Sequence, residues 1–164
     1  MRLAIGCDEA AYNLKREIME HLRSREIPYQ DFGAEAGETV LYPDVAVKVA
    51  EAVARGEFER GILVCGTGIG MAITANKVPG IRAAVCHDPF SAERARKSND
   101  AQIMCMGERV IGVELAKMLV DIWLSCDFSG GRSAPKVERI MEYEKEFLEE
   151  GRIPDETPGH VQTI

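Results

Sequence analysis

Five short apolar runs alternate with longer amphipathic stretches, and this alternation constrains the fold more than any other feature of the chain. The runs are "RLAIG", "IPYQDFG", "GILVC", "IRAAVC" and "AQIMCMG". Most are continuously apolar, as strands are when helices cover both faces of a sheet. Between them, "AYNLKREIMEHLRSR" places Leu14, Ile18 and Leu22 at helical spacing. Pro43 and Asp44 open a second helix, which Gly56 stops. "MAITANKV", "PFSAERARKS" and "GVELAKMLVDIWLS" supply three more, and a final helix starts near Pro135. Strands and helices in such alternation predict an α/β fold. It would be a single-domain, doubly wound, Rossmann-like five-stranded parallel sheet with helices on both faces and a C-terminal helix.

The 164 residues, 46% of them hydrophobic, suffice for one core. Residues 1–150 read as that domain and residues 151–164, poor in apolar side chains, as a loosely held tail. A net charge of −7 argues against a general nucleic-acid binder, yet a few arginines in one cleft would still hold a small anion. No run reaches the roughly 18 apolar residues of a membrane span. The start does not read as a signal peptide, so a cytoplasmic protein is expected. Five cysteines at wide spacing, without CxxC, predict free thiols.

Ligands of doubly wound sheets bind beyond the carboxyl ends of the strands. Those positions hold Cys7, Asp8 and Glu9; residues 65–70; His87 and Asp88; and Met106 and Gly107. In "GILVCGTGIGMAITANKV" a strand ends on Cys65, and Gly66, Gly68 and Gly70 follow before a helix resumes. A dinucleotide fingerprint would use such glycines with an acid such as Asp88, but its third glycine belongs one residue later and its unit on the first strand. A nucleophile elbow would need a glycine two residues before Cys65, where Leu63 stands. A third reading is a base beside an oxyanion hole. Glycines at a helix start expose unsatisfied N–H groups where the helix dipole favours an anion. Cys65, facing the same point, would act as a base in its thiolate form, and Thr67 would relay a proton or orient an oxygen. Against this stands a plainer possibility, that Cys65 is a small buried hydrophobe and the glycines merely turn the chain.

Other blocks shift that balance: "GCD" at residues 6–8, "YPD" at 42–44, the whole of 61–86, "SND" at 98–100, "GERVIGVELAK" at 107–117 and "GGR" at 130–132. In their order and spacing the chain resembles the type B ribose-5-phosphate isomerases and their relatives, the galactose-6-phosphate isomerase subunits, over about residues 1–148. The resemblance implies an enzyme that interconverts an aldose phosphate and a ketose phosphate through a cis-enediolate, without metal or organic cofactor. Its most direct substrate pair would be ribose 5-phosphate and ribulose 5-phosphate.

Residue by residue, the resemblance makes Cys65 the base that moves a proton between C1 and C2. Gly66, Gly68, Ile69 and Gly70 match the loop that holds the enediolate oxygens, and Thr67 the threonine that assists proton movement. Arg109, Arg132 and Lys136 match the phosphate grip; Asp8 and Asn99 match residues that hold sugar hydroxyls, and Tyr42 would flank the pocket. The resemblance also implies a homodimer with shared sites, in which residues near Asn99 and Arg109 reach into the partner's cleft, or a tetramer built on it.

Three histidines of the family pattern are replaced, by Glu9, Ser98 and Ser133. Lys136 stands where many members carry arginine, keeping charge but losing a bidentate grip. Ser98 matters most, because its histidine counterpart is thought to open the sugar ring, and serine does not titrate near neutrality. Either His87 replaces the missing imidazole, or it is an ordinary strand-end residue and the substrate differs. A tetrose 4-phosphate has no hydroxyl able to close a five- or six-membered ring and would need no such group. A hexose 6-phosphate is the other alternative. Two further classes fit parts of the pattern. A metal site could draw on Cys7, Cys65, Cys86 and Cys105 near the strand ends, but no pair has short ligand spacing, and none is expected. A sugar-phosphate sensor would keep Arg109, Arg132 and the glycine loop, with no need for Cys65 and Thr67 together.

Overall fold

The computed structural model describes residues 1–150, so the expected tail lies outside the described residues. Five parallel strands form one sheet: β1 (Leu3–Cys7), β2 (Tyr29–Asp31), β3 (Arg60–Cys65), β4 (Ala83–Val85) and β5 (Ile103–Gly107), in the order β2-β1-β3-β5-β4. The helices are α1 (Tyr12–Ser24), α2 (Tyr42–Ala54), α3 (Ile69–Ala75), α4 (Pro89–Lys97), α5 (Val113–Ser125) and α6 (Ala134–Glu150). This is the α/β architecture that the alternation predicts. The edge strands β2 and β4 keep only three residues each of longer apolar runs, and neither is fully buried. Pairing on one side only leaves their ends unsupported.

The side chains of β1, β3 and β5 alternate between two apolar layers. Leu3, Ile5, Ile62, Val64, Met104 and Met106 meet Leu14, Ile18 and Leu22 of α1 and Leu119, Val120 and Trp123 of α5. Ala4, Leu63, Cys65, Ile103 and Cys105 meet Val45, Val49 and Val53 of α2 and Met71 and Ala75 of α3. Each fully buried side chain of leucine or valine size contributes about 1.5–3 kcal/mol, so the central strands are held from both faces. Cys65 therefore belongs to the layer under α2 and α3.

The order places the switch point between β1 and β3. The chain leaves β1 for the β2 side and leaves β3 for the β4 side, which opens a crevice beyond the ends of β1 and β3. Register fixes the other end as well. Gly61 pairs with Ile103 and Cys65 with Gly107, so β3 and β5 run together for four residue steps, roughly 13 Å. The segment that leads directly into β5 lies at the amino end of the sheet. Helix α5 returns the chain to that end, where Arg60 at the start of β3 donates to the carbonyls of Trp123 and Cys126, both at 2.9 Å. Ser129 N–H then reaches Lys97 C=O at the end of α4 at 3.1 Å. Among the described residues no helix is long and apolar enough to cross a membrane.

Candidate active site

The turn after β3 is shaped by its glycines. Gly68 caps α3 at φ +77°, and a Cβ there would stand 2.9 Å from the Met106 backbone. A Cβ on Gly107 would lie 2.6 Å from Thr67 Cα. Only glycine at both places lets the loop lie flat against the end of β5. The consequence is chemical. Gly68 N–H donates to Cys65 Sγ at 3.1 Å, and Ile69 N–H to Thr67 Oγ1 at 3.3 Å. Cys65 thus stands at the bottom of an open cleft of about 480 Å³ with its sulfur against the Gly68 amide, although its back packs on hydrocarbon.

Asp8, Tyr42, Cys65, Gly66, Thr67, Ile69, Gly70 and Arg109 meet in that cleft, with Ala10 and Ile73 beside them. Tyr42 opens α2 and lays its ring on Gly70, 2.6 Å from where a Cβ would be. The Arg109 side chain lies over Gly66, and its backbone N–H donates to Gly66 C=O at 3.1 Å. Arg109 thus lines the cleft of its own chain. Burial raises the Asp8 carboxyl above its ordinary range, while the Ala10 N–H and the charge of Arg109 pull the other way. Among the described residues no carboxylate lies within ion-pair distance of Arg109, although the Asp8 carboxyl feels its charge.

Other expected site residues lie elsewhere. Ser98 and Asn99 follow α4, before β5, at the amino end of the sheet. Arg132, in the turn entering α6, and Lys136, in its first turn, are exposed near the same end. Cys65 and these four residues therefore cannot meet within one chain. Glu9 is not in the cleft lining; its Oε2 accepts Val40 N–H at 3.3 Å and so ties down the loop leading to Tyr42. Buried Lys15 anchors the start of that loop, bonding Asp31 at 2.7 Å and Ala34 C=O at 2.8 Å.

His87 is not brought to the cleft. Its Nε2 accepts Gly107 N–H at 2.9 Å, which requires that nitrogen to be unprotonated, and β5 stands between it and β3. Burial lowers its pKa below the ordinary 6.5, against the pull of Asp88. An unfolded chain would protonate this ring before the folded one does. The stability it contributes is therefore present above pH ~6.5 and is lost as pH falls toward the depressed folded value. His87→Gln keeps an acceptor but does not titrate. Its Tm should fall less than that of the wild type between about pH 7 and pH 5, and parallel Tm–pH curves would count against this bond.

Exposed apolar residues also surround the cleft. Ile69 and Ile73, one helical turn apart on α3, are 54% and 58% exposed. Leu41 and Val110, next to Tyr42 and Arg109, are exposed as well. The four cysteines weighed as metal ligands divide between the two faces of the sheet, Cys7 and Cys86 on one and Cys65 and Cys105 on the other. Burial raises the thiols of Cys7 and Cys86 to about 12, as suits inert packing groups.

The architecture recurs in the solved structure of a ribose-5-phosphate isomerase B from Clostridium thermocellum. The match has a TM-score of 0.87 and 52% identity, covering 90% of this chain and 99% of that one. Fold and cleft together define an α/β sugar-phosphate isomerase. A family model described as Ribose/Galactose Isomerase matches residues 3–140, and the chain belongs to that family of aldose–ketose isomerases. It is 57% identical over 145 residues to a protein of Listeria innocua named ribose-5-P isomerase B, covering 88% of this chain and 98% of the relative. It is 54% identical over 145 residues to a D-erythrulose-4-phosphate isomerase of Pectobacterium atrosepticum, covering 88% of this chain and 95% of that one.

Proposed function

We propose that Cys65 is the base of an aldose–ketose phosphate isomerase whose substrate is a four-carbon sugar phosphate, in a site completed by a second copy of the chain. The Cys65 thiolate takes the C2 proton of the aldose, and the electron pair moves through C1 onto O1 to give the cis-enediolate. Thr67 passes the O2 proton to O1, and the thiol returns its proton to C1, leaving the ketose. Charge builds on oxygen opposite the loop amides, where preorganised donors are worth a few kcal/mol in the transition state. The observation that carries this reading is the sulfur of Cys65 set against the Gly68 amide at the floor of an open, arginine-bearing cleft.

The same geometry supports a homodimer. Ser98, Asn99, Arg132 and Lys136, which family likeness groups with Cys65, lie at the other end of the sheet, and a second copy would bring the two sets together. Exposed Leu41, Ile69, Ile73 and Val110 around the cleft suit burial against that copy.

The substrate reading rests on the imidazoles. His87 holds the Gly107 amide, and His21 bonds Asp121 at 2.8 Å between α1 and α5. Neither lines the cleft that holds Cys65, so among the described residues no imidazole there replaces a ring-opening histidine. An acyclic tetrose phosphate needs none, whereas ribose 5-phosphate rests as a furanose. The two relatives above carry names of both kinds, at 57% and 54% identity. Assayed side by side, erythrose 4-phosphate should show at least tenfold higher kcat/KM than ribose 5-phosphate. A clear advantage for the pentose would return the enzyme to the ribose 5-phosphate reading, and turnover of hexose 6-phosphates would open the third.

A further inference from the structure

We infer that Arg94 is a positioning residue that makes Ser98 a fixed hydrogen-bond donor to an open-chain substrate, and that this pair sets the enzyme against ring-forming sugars. The inference rests on the two-copy isomerase site proposed above.

Ser98 Oγ accepts from Arg94 Nε at 2.9 Å and from Arg94 Nη2 as well. A hydroxyl has two acceptor lone pairs and one O–H. With both guanidinium contacts made on the oxygen, the O–H is what Ser98 retains for a ligand. Guanidinium stays charged at every working pH, so this direction does not reverse. A cation bonded to the oxygen also makes the O–H a stronger donor.

Two clamps fix the direction in which that donor points. The last turn of α4 holds both members, since Arg94 C=O accepts from Ser98 N–H at 2.8 Å and Asn99 N–H at 3.3 Å. Beyond them Asp100 sits at φ +48°, a conformation that non-glycine residues seldom adopt. Its carboxylate bonds Arg82 at 3.1 Å and Arg96 at 3.0 Å. Arg82 Nε also donates to Asn99 C=O at 3.1 Å, and Asn99 is exposed.

Opening a furanose requires a proton taken from the anomeric hydroxyl and one given to the ring oxygen. Imidazole does both. A hydroxyl held as a donor against a permanent cation takes none. It does donate to the carbonyl or hydroxyl oxygen of an already open chain, with no proton transferred. Arg94 and Ser98 therefore act as a filter for substrates that arrive open.

Three probes separate ring opening from chain length: erythrose 4-phosphate, ribose 5-phosphate, and 4-deoxyribose 5-phosphate, which has five carbons but cannot close. The wild type should turn over the deoxy pentose at least tenfold faster in kcat/KM than ribose 5-phosphate; parity between them overturns the filter. Arg94→Met should lower kcat/KM for erythrose 4-phosphate about tenfold, as loss of a charge-assisted hydrogen bond does. In a Ser98→Ala background the same change should be less than twofold. An equal loss in both backgrounds makes Arg94 merely structural and overturns the proposal. Arg94→Lys, which keeps the charge but puts its donors on a single nitrogen, should fall between, and it serves if Arg94→Met folds poorly. If the wild type turns over none of the three probes, the isomerase reading itself fails, an outcome distinct from the others.

Discussion

Cys65→Ala is expected to lower kcat on erythrose 4-phosphate by about a thousandfold, within the range that a positioned acid–base group supplies. The loss should be kinetic and only slightly structural. The alanine leaves the Gly68 amide without its sulfur acceptor at 3.1 Å, at a cost of about 1–3 kcal/mol. For a domain of this size that is a drop in Tm of several degrees and no more than about ten. Cys65→Ser divides the two effects. Its hydroxyl can accept the same amide, so Tm should return most of the way, but it does not ionise near neutrality and kcat should stay near the alanine value. Solvent deuterium entering C1 or C2 of recovered substrate is the more direct measure. The wild type should incorporate it, and neither variant should do so at more than a small fraction of that rate. A Cys65→Ala enzyme within tenfold of wild-type turnover would falsify the base assignment.

The part of this site legible in the sequence is the part that is local. A strand ending on Cys65, glycines at 66, 68 and 70 and a helix resuming at Ile69 declare their geometry within ten residues, and the turn folds as they imply. The same holds for α1, whose Leu14, Ile18 and Leu22 face the sheet as their spacing predicts. Strand order was not legible. Alternating strands and helices imply parallel neighbours, yet nothing local says that β5 inserts between β3 and β4. The state of His87 depends on that insertion, because its partner is the amide of Gly107, 20 residues away. Glu9 is a similar case. Its bond to Val40 joins the end of β1 to a loop 31 residues on, and no period marks such a contact.

Residues 98, 99, 132 and 136 teach something different. Family likeness groups them with Cys65, but the place of residues 98 and 99 at the opposite end of the sheet is legible in the order of the elements. In a parallel sheet, what precedes a strand lies at its amino end, and residues 98 and 99 directly precede β5. The apolar residues around the cleft point the same way. Ile69 and Ile73 have core spacing but face outward, as a surface does when another chain completes it.

Two inactive variants should therefore restore each other. Cys65→Ala removes the proposed base from one end of the sheet, and Arg132→Glu reverses a charge of the proposed phosphate grip at the other; each variant alone should fall at least a hundredfold in kcat/KM. When the two chains are mixed and allowed to exchange, half of the dimers carry one chain of each kind. In such a dimer one cleft combines both lesions, and the other has an intact Cys65 facing an intact Arg132. Activity should return to about a quarter of wild type if exchange is random. If each chain holds a whole site, both remain damaged and mixing restores nothing. The reciprocal experiment guards against a fortuitous gain. A chain carrying both substitutions, mixed equally with wild type, should leave only about a quarter of the activity, because it damages both clefts of every mixed dimer. A site complete within one chain would leave about half. The two mixtures thus give opposite deviations from one geometric cause, the separation of Cys65 from Arg132 by the length of β3 and β5.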